Sequence, residues 1–173
     1  MVLKLHISKP VEKLSEMLAE SEHMQTLLGI APESETAGTE AAGKILYGYA
    51  EDDEFENIIG AKGEKLLPRA VTALEDCQSD KETDGSWKTT VRMSILIQTL
   101  RLSADAGKSL SGRYKSFLDR VEGVVDDLRE LAADNTRLNL RSFSLDVPPQ
   151  RADMTETDGT EIWWTVLLVE AGG

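Results

Sequence analysis

The run WKTTVRMSILIQTLRL, Trp87 to Leu102, decides the fold. Trp87, Val91, Met93, Ile95 and Ile97 share one parity, and Lys88, Thr90, Arg92, Ser94 and Gln98 share the other. Period-two alternation of this kind marks a strand with one face on a core and one toward water. Fully extended, the run would reach about 50 Å, well beyond an ordinary strand. Such a strand either projects from the body with a hairpin partner or bends at a bulge. The partner is close at hand. PRAVTALEDC, Pro68 to Cys77, reads as a strand started by its proline, and QSDKETDGS, Gln78 to Ser86, is turn chemistry throughout. Residues 76–88 therefore read as the tip of a long β-hairpin, a device for touching a neighbour.

Working outward, Pro10 to Leu28 reads as one amphipathic helix. Ser8 is placed to cap it, Val11, Leu14, Leu18, Leu27 and Leu28 recur at helical spacing, and Gly29 supplies a stop. APESETAGTEAAG is weak, with a short helix near Glu40–Gly43 and a loop both open. KILYGYA, Lys44 to Ala50, reads as a short strand weakened by Gly48. Residues 51–67, opening with the acidic EDDEFE, form a long excursion that either carries function or is a solvated insertion. On the C-terminal side a second helix, Ser111 to Ala133, carries Tyr114, Phe117, Leu118, Val121, Val124, Val125, Leu128 and Leu131 as a continuous stripe. LNLRSFSLDV changes parity near Arg141–Ser142, which predicts a bulge, and PPQRADMTETDG reads as a loop. TEIWWTVLLVEA is the closing strand. Its Trp163 and Trp164 must point to opposite faces, so one of them needs a second surface, either a helix on the far side or a partner chain. The predicted class is α+β: one domain over 1–173, with a mostly antiparallel sheet of four to five strands, two main flanking helices and a projecting hairpin.

Composition sets the bounds on function. The chain has 173 residues, 40% hydrophobic and 29% charged, which suits a single folded domain. Its net charge is −12, with 31 acids against 19 bases, so it lacks the clustered positive charge that phosphate backbones demand. That balance suits plain solubility, and it also suits a surface that DNA must pass without adhering. A single cysteine, Cys77, permits no internal disulfide and points to a reducing compartment. MVLKLHISKPVEKL does not read as a secretory leader, and no apolar run approaches the roughly 20 residues of a membrane span. A soluble protein of the cytosol is expected.

The motif that tempts most is Gly107-Lys108-Ser109 after the long strand. A phosphate loop needs a glycine five positions before the Gly-Lys pair, and Leu102 stands there. The triplet reads as a helix start, with Ser109 or Ser111 as cap. His6, His23 and Cys77 are too few for a structural zinc site, and Asp52, Asp53, Glu54 and Glu56 lack the spacing of a calcium loop. No Gly-x-Ser-x-Gly elbow occurs. The expectation is a protein with no catalytic residues, no metal and no cofactor.

The succession GSWKTTVRMSILIQTLRL, then FLDRVEGVVDDLRELAADNTRLNLRSFSLDVPPQRADMTETDGTEIWWTVLLVE, resembles the tail terminator (tail completion) proteins of long-tailed bacteriophages. The matching features are a sheet strand leading into one long helix, the Leu138-Asn139-Leu140 strand, a loop bearing Pro148, Arg151 and Asp153, and the paired Trp163-Trp164. VEKLSEMLAESEHMQTLLG and PRAVTALED are also similar, so the order of elements carries the resemblance over most of the chain. It implies a virion protein that forms a hexameric ring, caps the tail tube, ends its polymerisation and joins the tail to the head, after assembly in the host cytoplasm. The implied partners are further copies of the chain, the tail-tube protein and a head–tail connector protein, with DNA passing through the lumen and no membrane involved. Asp84, Trp87, Trp163 and Trp164 become candidates for a subunit or tube interface. Asp52, Asp53, Glu54 and Glu56 become candidates for lining the lumen. The excursion over 51–67 has no counterpart in the family pattern. The competing readings are another neck or head-completion connector ring protein, and a small soluble enzyme or ligand-binding domain.

Overall fold

In the computed structural model, residues 8–48, 67–133, 138–154 and 160–172 are described. The excursion, with Asp52, Asp53, Glu54 and Glu56, lies outside them. The elements in chain order are helices α1 (Ser8–Glu20), α2 (Glu22–Leu27) and α3 (Ala37–Lys44), then strands β1 (Ile45–Tyr47), β2 (Arg69–Lys81) and β3 (Trp87–Leu100). A short 3₁₀ turn at Ser103–Asp105 leads to helix α4 (Leu110–Ala132), and strands β4 (Leu140–Met154) and β5 (Thr160–Gly172) follow. The sheet order is β1-β2-β3-β5-β4. Only β1 and β2 run parallel; every other neighbouring pair is antiparallel. The protein is an α+β fold.

The core forms where the alternation of β3 meets the helical stripes. Met93, Ile95 and Ile97 are fully buried and join Leu14, Leu18, Leu27, Phe117, Val124 and Leu128 in one cluster. Trp163, Leu167 and Val169 of β5 complete it, so α1, α2, α3 and α4 all serve a single face of the sheet. Burying such side chains is what stabilises the layer, and Leu-to-Ala truncation in cores of this density costs about 2–5 kcal/mol. The opposite face carries Val71, Leu96, Ile162 and Trp164, with a small second cluster of Leu67 and Ile162 backed by Leu100. Across that face Arg69, Gln98, Trp164 and Gln150 follow one another in register, and Arg69 Nε donates to Gln98 Oε1 at 2.7 Å.

Four sequence expectations need correction. The first helix is two, broken at Ser21, whose side chain accepts from the Met24 amide at 3.1 Å and caps α2. Ser8 begins α1 instead of preceding it. The strand after Pro68 continues to Lys81, so the turn shrinks to residues 82–86, and the register shift lies in β2 between Leu74 and Asp76. PPQRAD is not a loop. β4 continues through it to Met154: β4 is an edge strand, and Pro148 and Pro149 fall in the register shift between Val147 and Gln150, so their missing amides cost no ladder bond. Its register shifts between Leu140 and Ser142, where the parity change predicted a bulge, and again on either side of Val147. Gly29 ends α2 at φ 73°, the left-handed conformation expected of a helix stop.

Candidate assembly surface

The two ends of the sheet are built differently. At one end, among the described residues, β3 pairs with β5 only from Thr90 to Leu100. Its first rungs, Trp87 with Lys81, Lys88 with Asp80 and Thr89 with Ser79, join β2 alone among the described residues. Residues 78–88 are all exposed apart from the half-covered backbone neighbours that follow at Thr89 and Thr90. The turn is closed by the Glu82 amide donating to the Ser86 carbonyl at 2.8 Å, and Gly85 takes φ 85°. Asp84 Oδ1 accepts from the Ser86 amide at 2.9 Å and from Ser86 Oγ at 2.6 Å. These bonds hold the Asp84 carboxyl below the usual carboxylate range. Trp87 stands 57% exposed at this tip, so of the interface candidates it alone offers a large apolar surface to solvent.

At the other end the chain spends its buried charge. Glu161, 5% exposed, accepts from Arg113 Nε at 2.8 Å and Nη2 at 3.0 Å, and from Arg151 Nε at 2.7 Å. Burial pushes the Glu161 carboxyl up, but the hydrogen bonds from Arg113, Trp163 and Arg151 outweigh it and leave the pKa lowered. Asp105, also 5% exposed, accepts from Lys108 at 2.9 Å, Ser116 at 2.8 Å and Arg120 at 2.9 Å. Here too burial pushes upward and the three donors win, holding the carboxyl down at about 2. This network explains the Gly107-Lys108-Ser109 triplet. Ser109 caps α4 by accepting from the Gly112 amide at 3.1 Å, and Lys108 is engaged with Asp105.

The tandem tryptophans divide as strand geometry requires. Trp163 is 5% exposed and packs against Phe117 and Tyr114, with ring centroids 5.9 and 6.0 Å apart. It is part of the core cluster and also lines a groove. Trp164 is partly buried on the opposite face. The groove, of about 410 Å³, is lined by Leu110, Tyr114, Pro149, Gln150, Arg151 and Trp163. Leu110 is 48% and Tyr114 40% exposed there. A larger groove of about 580 Å³ runs between α4 and β4, past Leu118, Val125, Phe143 and Leu145. Neither groove was legible in the sequence, since their lining residues come from segments far apart in the chain.

Two helices are tied together by a third polar site. Asp127 Oδ2 accepts from Ser21 Oγ at 2.6 Å and from the His23 ring at 3.0 Å. Burial raises the Asp127 carboxyl and these donors lower it further than burial lifts it. Among the described residues, no group of three His, Cys, Asp or Glu side chains is placed to share a metal ion, and no helix is long and apolar enough to cross a membrane. A scan against protein-family models and a search of curated proteins return no match to this chain.

Proposed function

We propose that this chain is a structural subunit of a bacteriophage tail that assembles as a hexameric ring, caps the tail tube, stops its growth and joins the tail to the head. The observation that carries the reading is the exposed hairpin end: among the described residues, the rungs from Trp87 to Thr89 pair with β2 alone, past the last β5 pair, and Trp87 is exposed there. An isolated ribbon gains little by itself in water, and a large apolar side chain at its tip gains only when a partner covers it. The order of elements supports the same reading: opening helices, hairpin, one long helix and a closing strand with paired tryptophans. The polar clusters at the far end are saturated by their own arginines and lysine, as befits groups that fix a shape.

In the ring, further copies of the chain are the first partners, the tube protein the second and a head–tail connector protein the third. DNA passes through the lumen without specific contacts. Asp52, Asp53, Glu54 and Glu56 are the proposed lumen acids. Reversing their charge should make the ring retain DNA at low salt; unchanged DNA retention would remove them from that role.

The test of the function is tube growth. Added to the tube protein of the same phage, the chain should bind tube ends and hold tube length constant in electron micrographs. Tubes that lengthen equally with and without it would refute the reading.

A further inference from the structure

The tetrapeptide Glu-Thr-Asp-Gly occurs twice in the sequence, at 82–85 before Ser86 and at 156–159 before Thr160. These are the two Asp-Gly steps of the chain, and it has no Asn-Gly step. Asp-Gly is the step at which an aspartyl side chain closes most readily on the backbone, because glycine has no Cβ to shield its amide nitrogen. Asp158–Gly159 lies outside the described residues. Asp84 and Gly85 are both exposed at the hairpin tip.

The reaction needs no co-reactant but water. The Gly85 nitrogen attacks Cγ of the protonated Asp84 carboxyl, the amide proton and the carboxyl hydroxyl leave as water, and a succinimide ring closes. Water then reopens the ring. Opening at Cγ restores aspartate. Opening at the backbone carbonyl leaves the chain joined through the side chain, as isoaspartate with a free α-carboxylate. Either way the water lost is regained, and nothing is oxidised or reduced.

The folded turn opposes both halves of the attack. The attacking amide is engaged, since the Gly85 N–H donates to the Glu82 carbonyl at 3.0 Å. The carboxyl is tied back through Oδ1, which accepts from Ser86 Oγ at 2.6 Å and from the Ser86 amide at 2.9 Å. Donors to the charged form keep a carboxyl ionised, and an ionised carboxyl has no hydroxyl to lose. Of the two, the Ser86 hydroxyl does more to hold Asp84 below the usual carboxylate range.

We infer that Asp84–Gly85 is a site of spontaneous isoaspartate formation, guarded by the Ser86 hydroxyl. An isoaspartyl link adds a backbone atom to the turn. Turn length sets hairpin register, so the Lys81–Trp87 rung that closes the turn is the first to be lost. Ageing therefore frays the tip at Trp87. The chemistry needs only the turn and stands whether or not the chain forms a ring.

Isoaspartyl methyltransferase labelling with peptide mapping tests it. The full chain is held for weeks at body temperature in mildly acidic buffer, folded and in urea. In urea both Asp-Gly steps should convert alike, whereas in the folded chain Asp84–Gly85 should convert more slowly. Ser86→Ala should speed the folded-state conversion about threefold, the weight of one exposed hydrogen bond, and Ser86→Thr should restore the slow rate. Equal rates at Asp84–Gly85 in the folded chain and in urea would overturn the guard without recourse to any variant. So would a Ser86→Ala rate no faster than the parent, a fast Ser86→Thr, or a lag of Asp84 behind Asp158 that persists in urea. An Asp84–Gly85 step that stays aspartate even in urea would overturn the site itself.

Discussion

The α4 end of the sheet and the hairpin end share the long strand β3, yet they are held by opposite means. At the α4 end two carboxylates, Asp105 and Glu161, lie almost out of water and are tied by Lys108, Arg113, Arg120 and Arg151. At the hairpin end, among the described residues, the ribbon is held by ladder bonds, the Ser79–Thr89 hydroxyl bond at 2.9 Å and the Asp84–Ser86 turn bonds. Buried charges that are fully paired specify a shape but are costly to break, whereas exposed ribbons gain order cheaply when something covers them. The contrast teaches where each task sits: one end fixes geometry, and the other is left available for contact.

The comparison is most easily broken at Glu161. Glu161→Ala leaves two arginines beside a desolvated cleft and should cost about 3 kcal/mol in urea unfolding, as removing one side of a buried pair does. A loss below about 0.5 kcal/mol would mean that the α4 end is no firmer than the surface. Next comes Asp105. Its pKa, held at about 2, lies below its unfolded value near 3.9, so its stabilisation is complete above about pH 5 and drains away as pH falls toward 2. The shift is worth about 2 kcal/mol, so Asp105→Asn should lose roughly that at pH 7 and flatten the acid limb of the stability curve. An unaltered acid limb would remove Asp105 from the account. Ser109→Ala should cost about 1 kcal/mol, the usual effect of deleting a helix N-cap, seen as a few degrees in Tm. Trp87→Ser should change monomer stability by less than about 0.5 kcal/mol, and a larger loss would show that Trp87 is packed within its own chain.

Much of the fold was legible because it rests on local periodicity. The alternation of β3, the stripe of α4 and the stop at Gly29 all follow from side-chain spacing that the neighbouring layers then honour. The break at Ser21 was hidden because the apolar spacing runs through it; the available signal was a cap-type serine followed by Glu22 in the first turn. Pro148 and Pro149 suggested a loop because their missing amides exclude a central strand, while β4 proved to be an edge, a fact that belongs to topology and not to sequence. The ionic end was illegible altogether, since Asp105, Arg113, Arg120, Arg151 and Glu161 meet only after β3, α4, β4 and β5 have packed. For the candidate surface, Trp87 and Asp84 were singled out from the turn chemistry beside them, whereas the grooves beside α4 had no signal in the sequence.

The measurement that tests the central claim most directly is the native mass of the purified chain, alone and mixed with its tube protein. A ring subunit should appear at six times the chain mass in at least one of the two, with Trp87→Ser shifting the population toward the single chain. A single-chain mass in both conditions, at concentrations where the tube itself assembles, would contradict it.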